Sequence, residues 1–225
     1  MKRTCLVASV LAIASTGTFA QSSTYLVGGI GTAKVNSDIA TYSQSSGGLT
    51  ISERADPDGN VFGLLLGYNF DERWSLEAGY LNIRGLSANA SLVATNAVVQ
   101  GNTINGTLNA RQDISGYALT LAPRFTHRVG PVDLFVKAGL AYVKVANEVT
   151  VGGSGTVNGN PVSGNFRQTF RDRSTVPMIG IGAQFFATRN IGVRGDYTYI
   201  SKVGDRETTG ESAVKLLMLS GIYQF

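Results

Sequence analysis

The sequence predicts an all-β fold, an eight-stranded antiparallel up-and-down transmembrane β-barrel. Three observations carry that prediction. Apolar residues alternate with small or polar ones at a period of two over most of the chain; long and short intervals between the alternating segments follow one another in turn; and aromatic residues gather at segment ends. No run of ~18 consecutive apolar residues offers a spanning helix. A membrane span must therefore be a closed barrel, because in lipid only helices and closed barrels satisfy every backbone polar group.

The 225 residues suit one domain, and charged residues make up only 15%, against about 25% in soluble domains. The formal net charge is +4. Without Lys2 and Arg3 the chain keeps 17 basic against 15 acidic residues, which is too even a balance to argue for nucleic acid.

The N-terminus reads as a secretory leader. Lys2 and Arg3 form its positive end, Leu6 to Ala14 its apolar stretch, and Thr18-Phe19-Ala20 its cleavage site. Residues 1–20 are thus expected to be a signal peptide cut after Ala20, and residues 21–225 the barrel domain. The single cysteine, Cys5, lies in the leader, too early for lipidation, so neither disulfide nor thiol chemistry is expected.

The strands follow in order. The first, near 24–35, is Gly-rich and leaves its faces unassigned. In 61–70, Phe62, Leu64, Leu66, Tyr68 and Phe70 share one face, and after Asp71-Glu72-Arg73 so do Trp74, Leu76, Ala78 and Tyr80 in 74–83. Tyr117, Leu119, Leu121 and Phe125 share a face in 114–125. Past a turn at Gly130-Pro131, Leu134, Val136, Ala138, Leu140 and Tyr142 do so in 134–145. Ile179, Ile181, Ala183 and Phe185 lie in 175–187, and Ile191, Val193, Tyr197 and Tyr199 in 190–201. Leu217, Leu219, Tyr223 and Phe225 end the series in 213–225. The opposing face is small and sparsely charged, which suits a narrow barrel interior better than the watered face of a sandwich.

The long connections, near 36–60, 84–113, 146–174 and 202–212, are expected outside the cell as loops, with short turns and both termini in the periplasm. Tyr68, Phe70, Trp74, Phe125, Tyr223 and Phe225 would form the periplasmic aromatic girdle, and Tyr80, Tyr117, Tyr142 and Tyr199 the outer one.

The terminal strand, Leu217-x-Leu219-x-x-x-Tyr223-x-Phe225, resembles the C-terminal strand read by the outer-membrane assembly machinery. Phe62-Gly63-Leu64-Leu65-Leu66-Gly67-Tyr68-Asn69-Phe70 with Trp74-Ser75-Leu76-Glu77-Ala78-Gly79-Tyr80 resembles the second and third strands of OmpA- and OmpX-like barrels. The resemblance covers the strands and not the loops. It implies an eight-stranded barrel in the bacterial outer membrane, Tyr223 and Phe225 as the assembly signal, and the assembly machinery as a partner. No periplasmic peptidoglycan-binding domain is expected after Phe225. Such barrels serve as adhesins, structural proteins or enzymes, so the resemblance leaves function open.

Gly28-Gly29-Ile30-Gly31 lacks the Lys-Ser/Thr pair and the helix of a nucleotide loop and reads as a tight strand. Asp56-Pro57-Asp58-Gly59-Asn60 lacks the bidentate Glu of a calcium loop and reads as a turn. His127, the only histidine, falls in an expected periplasmic turn, the wrong end for the lipid A deacylase arrangement. With one histidine and no mature cysteine, neither a zinc site nor any cofactor is expected. Asn89-Ala90-Ser91 and Asn105-Gly106-Thr107 match glycosylation acceptors but carry no weight in a bacterial exported chain.

Two charged sets remain. Glu77, Arg124, Lys137, Arg194 and Asp196 fall on the inward face, where they form either a salt-bridge plug or, alternatively, a polar pore lining. Arg84, Lys144, Arg171, Arg173 and Lys215 continue the outward faces just above the apolar belt. Only Asp113, facing Arg111, brings an acid there. That ring is either simple snorkelling or a clamp on lipopolysaccharide phosphates. The sequence thus points to a monomeric, non-catalytic surface barrel in contact with outer-membrane lipids. Its loops would serve adhesion, host-factor binding or envelope stability, with a narrow solute pore as the alternative. Deleting Phe225, or changing it to Asp, is expected to lower the heat-modifiable, outer-membrane-fractionated protein several-fold; unchanged levels would refute its role in assembly.

Overall fold

A computed structural model describes residues 24–35, 42–56, 58–203 and 212–225. The expected leader, its cleavage site and most of the 202–212 connection lie outside these residues. All regular structure among them is β: β1 (Thr24–Val35), β2 (Tyr42–Ser46), β3 (Leu49–Asp56), β4 (Asp58–Asn69), β5 (Trp74–Val99), β6 (Asn102–Val129), β7 (Val132–Val157), β8 (Asn160–Phe186), β9 (Ile191–Val203) and β10 (Ser212–Gln224).

Eight of the ten strands close on themselves. The order β5-β4-β1-β10-β9-β8-β7-β6 is completed by pairing of β5 with β6. All the pairings are antiparallel, and β1 lies beside β10 through Tyr25↔Gln224 to Val35↔Val214. The short turns are as compact as their spacing demands. Asp71 accepts the backbone N–H groups of Arg73 (2.7 Å) and Trp74 (2.8 Å), and these donors hold its carboxyl below the usual carboxylate range. Gly130 turns with φ of 60°.

The lipid-facing pattern is strict. Leu26 and Ile30 in β1 and Leu217 and Leu219 in β10 are exposed, whereas Tyr25, Val27, Leu216 and Met218 between them are buried. This assigns the faces of β1 that periodicity alone left open. Small inward residues let the large ones fit: the position of a Cβ on Gly67 is already filled by the Tyr25 ring. Edge-to-face pairs Trp74–Phe125 and Tyr223–Phe225 mark the turn end of the barrel, and Tyr80–Tyr117, 6.0 Å apart, the other.

Three sequence expectations need correction. The connections 84–113 and 146–174 are not loops. β5, β6, β7 and β8 have 26, 28, 26 and 27 residues, about 85 to 95 Å of chain at ~3.3 Å per residue. A tilted span uses only ~9–11 residues, so more than half of each strand projects beyond the barrel as β-arms. Second, the 36–60 connection contains the hairpin β2–β3, whose second strand pairs with the arm of β5 from Leu49↔Ala94 to Asp56↔Ser87. The expected reversal at 56–60 is absent: β3 and β4 follow one another along the same edge of β5. Third, His127 is not in a turn. It belongs to β6, opposite Leu134 of β7, and is exposed.

The arm hairpins turn at Gly47-Gly48, Gln100-Gly101 and Asn158-Gly159, each a two-residue loop with both φ positive. That is the turn whose twist matches paired strands. Where β5 leaves the barrel, a register shift between Ile83 and Leu86 contains Gly85 with φ of 88°. The bulge switches which parity of β5 points inward. Arg84 stays outward, and Leu86 joins the buried core.

Candidate functional site

The interior is divided by height. At the turn end it is charged. Arg194, with 0% exposure, reaches Glu77 from 117 residues away through Nη1 to Oε1 (2.5 Å) and Nη2 to Oε2 (3.0 Å), the bidentate arrangement that favours arginine. Arg124 Nη1 lies 3.4 Å and Lys137 Nζ 3.9 Å from the same carboxylate. Lys137 also donates to Asp196 Oδ1 (3.3 Å), and Arg194 Nε lies 3.4 Å from Asp196 Oδ2. The structure therefore brings Glu77, Arg124, Lys137, Arg194 and Asp196 into one cluster.

Periodicity missed several members. Tyr25 donates to Glu77 Oε1 (2.9 Å). Arg124 donates to Ser75 Oγ and Gln184 Oε1, both at 2.9 Å. Gln184 donates to Asp133 (3.4 Å), which also pairs with Arg128 (2.8 Å). The guanidinium of Arg194 stacks 4.2 Å from the Phe135 ring centre, and that of Arg124 4.8 Å from Tyr25. Asp133 is the third buried acid, matching three buried bases. Its signal was the parity Asp133, Phe135, Lys137, one step before the expected start of the strand. Tyr25 had no comparable signal, because the faces of β1 become visible only once it is paired.

Above this layer the interior turns apolar. Ala33, Leu81, Ala118, Ala141, Met178, Leu216 and their neighbours form one buried cluster. Side chains fill the eight-stranded interior, as its radius dictates. No open passage through the charged layer is implied by such packing.

The outward cations form a collar where barrel passes into arms. By register, Lys144 lies directly opposite Arg173, and Lys34 directly opposite Lys215. Lys34 was absent from the expected set. It has an acid nearby, Asp58 at 3.7 Å. Lys144 Nζ sits 5.9 Å above the Tyr117 ring. Arg84, Arg171 and Arg173 are exposed, and Lys144 and Lys215 half-buried. Among the described residues, none of these five cations has a carboxylate within ion-pair distance. Like charges directly opposite on a sheet are destabilising; Asp58 relieves Lys34, whereas the Lys144–Arg173 pair has no acid among the described residues and calls for an anion. Farther along the arms two cations are paired, Arg111 with Asp113 (2.8 Å) and Arg167 with Glu148 (2.6 Å).

Comparison with known proteins agrees with this architecture. Residues 5–215 match the family described as outer membrane protein beta-barrel domain. The attachment invasion locus protein Ail of Yersinia pestis is similar in structure, with a TM-score of 0.51 and 18% identity, over 92% of this chain and 100% of that one. Neisserial surface protein A is similar with a TM-score of 0.52 and 12% identity, over 90% of this chain and 97% of that one. No curated protein matches in sequence. At such identities the likeness shows the fold.

Glu77 faces all three buried bases, so its neutral replacement leaves charge uncompensated. Glu77→Gln is expected to cost about 3–5 kcal/mol, read as a lower urea midpoint in bilayers. Adding Arg194→Met should recover part of the loss. An unchanged midpoint for Glu77→Gln would show that the cluster contributes nothing to stability.

Proposed function

The chain belongs to the outer membrane protein beta-barrel domain family, and from that premise we propose that it is a non-catalytic surface barrel that holds its β-arms out from the cell for adhesion or host-factor binding. The observation that carries this reading is the length of β5 to β8, far beyond any need of a bilayer. A rigid paired sheet presents side chains at a fixed distance from the membrane at little cost in ordering on contact. The name of Ail speaks of attachment and invasion, the use proposed here for the arms of this chain.

Export follows from the leader, cleaved after Ala20, and insertion from Tyr223 and Phe225 engaging the assembly machinery. The barrel acts as a monomer. The charged interior is a plug, not a pore lining: Glu77 and Asp196 are paired with Arg124, Lys137 and Arg194, Asp133 is paired with Arg128, and Tyr25, Ser75 and Gln184 fill in between them. The collar of Arg84, Lys144, Arg171, Arg173 and Lys215 holds lipopolysaccharide phosphates. The opposed pair Lys144 and Arg173 supports this, because a phosphate between them turns a repulsion into charge-assisted hydrogen bonds.

Bacteria displaying the protein should adhere to epithelial monolayers well above background. Replacing 88–111 and 147–170 by short Asn-Gly turns should abolish the excess while leaving heat-modifiable barrel in the membrane. Adhesion that survives the loss of both arms, or a stable single-channel conductance of the intact protein, would overturn the reading.

For the collar, Arg84, Lys144, Arg173 and Lys215 are changed together to Gln. Thermal stability is then measured in lipopolysaccharide bilayers and in a neutral detergent. The midpoint should fall at least about 5 °C further in lipopolysaccharide, the equivalent of a few kcal/mol in a chain of this size. Equal losses would show that the collar does not read phosphate.

A further inference from the structure

The arms are amphipathic, and their apolar face is the inner one. On the arm strands most residues that continue the barrel interior are apolar or glycine, with Gln112, Asn147, Gln168, Asp172 and Ser174 the polar ones, and most of those that continue the lipid-facing wall are polar. Leu92 pairs with Leu108 and Val151 with Phe166 on the inner side, while Arg111–Asp113 and Arg167–Glu148 lie on the outer. Polarity in the arms is thus sorted by face. An antiparallel sheet with one apolar face packs that face on something.

Within this face side chains are missing where a groove runs. Gly106 pairs with Gly155 and Gly153 with Gly164. The hollow left by these glycines measures about 470 Å³, with Leu92, Leu108, Val151, Val162 and Phe166 on its rims. That volume lies in the range of small-ligand sites, ~300–1,000 Å³.

The same inner face leads down to a second hollow at the barrel mouth, about 90 Å³, lined by Val35, Ile83, Leu86, Val143 and Val214 with three polar residues, Asn147, Ser115 and Ser212. Asn147 is 5% exposed, and among the described residues its Oδ1 has no hydrogen-bond partner. A buried acceptor left unmade costs about 1–3 kcal/mol, which a donor entering the hollow would offset. The hollow is too small for a folded segment of protein but admits the end of an unbranched chain. From Asn147 to the Gly153–Gly164 pair is six residues of β7, ~20 Å.

We propose that the mouth and the inner face of the arms form one binding site for a single-chain amphiphile, a long alkyl chain ending in a hydroxyl. The hydroxyl donates to Asn147 Oδ1, and the chain lies along the inner face to the glycine groove. A terminal carboxylate is disfavoured, because its charge would enter a largely apolar hollow with no cation in the lining. The inference goes beyond the adhesive reading and does not depend on it.

The test uses protein beginning at Gln21 in phosphatidylcholine nanodiscs. That chain has no cysteine, so Ala90→Cys on the inner face takes one polarity-sensitive fluorophore. Hexadecanol should give a saturable blue shift. Gly164→Phe should weaken its binding at least tenfold. A Cβ there meets nothing within 4 Å, so the ring fills the groove without moving the sheet. Ser163→Phe, on the adjacent outer face, should leave binding unchanged. Asn147→Leu should weaken hexadecanol about tenfold, one hydrogen bond's worth, and leave hexadecane unaffected. Heat-modifiable mobility certifies each variant as folded. The proposal is overturned by the absence of a saturable signal, by full binding in folded Gly164→Phe, or by an equal effect of Asn147→Leu on hexadecanol and hexadecane. Self-association lost in Gly164→Phe would also overturn it, because a second copy would then be the occupant.

Discussion

Closure of β1 on β10 is the constraint from which the rest of the molecule follows. In lipid an unpaired backbone N–H or C=O costs several kcal/mol, so the first and last strands must meet along their full length. They do so over eleven register pairs, Tyr25↔Gln224 to Val35↔Val214. Eight strands then set a radius that leaves room for side chains and little else. Gly67 yields its place to Tyr25, and Tyr25 is thereby positioned to donate to Glu77. The buried charges are not free to take up any arrangement; the ring of backbone bonds dictates which strands face each other across the interior.

Solvent changes along the barrel axis, and the pattern of faces changes with it. At the level of the outward apolar belt, the wall presents Leu, Ile and Phe outward, with charge inward at the turn end and small or apolar side chains inward above it. Past the Gly85 bulge the polarity is exchanged: outward positions carry Arg111, Asp113, Glu148 and Arg167, and inward ones Leu92, Leu108, Val151 and Phe166. A strand of period two can satisfy both environments without changing its pleat, provided that composition switches at the boundary. The collar cations mark that boundary from the outside, and the apolar cluster around Met178 and Leu216 marks it from the inside.

The two charged assemblies differ in what surrounds them, and the physics differs accordingly. The interior cluster is buried and balanced, each charge held by an opposite one and by neutral donors and acceptors such as Tyr25, Ser75 and Gln184. The collar has one acid, Asp58 beside Lys34, and an excess of cations, with Lys144 set against Arg173 and Lys34 against Lys215. A balanced buried cluster stiffens a fold; a collar with an excess of cations is a demand for a counter-charge from outside the chain.

The lipid-facing strands were legible in the sequence because lipid imposes a rule on each residue separately. Every outward position must be apolar, so Phe62, Leu64, Leu66 and Tyr68 announce their face with no knowledge of partners. The inward charges Glu77, Lys137 and Arg194 could be listed by the same parity. Which charge meets which, across 117 residues for Glu77 and Arg194, was decided by the closed ring, since cross-barrel contacts depend on strand order and radius. The arms were partly legible. Gly47-Gly48 and Asn158-Gly159 are strong hairpin signals, but the Ala, Ser, Gly and Asn around them have the composition of loops, and only pairing with neighbouring strands makes them sheet. The faces of β1, the inward turn of Leu86 past the Gly85 bulge and the unpartnered amide of Asn147 had no sequence signature at all. Each depends on what lies on the adjacent strand or across the interior, and that is determined only when the chain is folded.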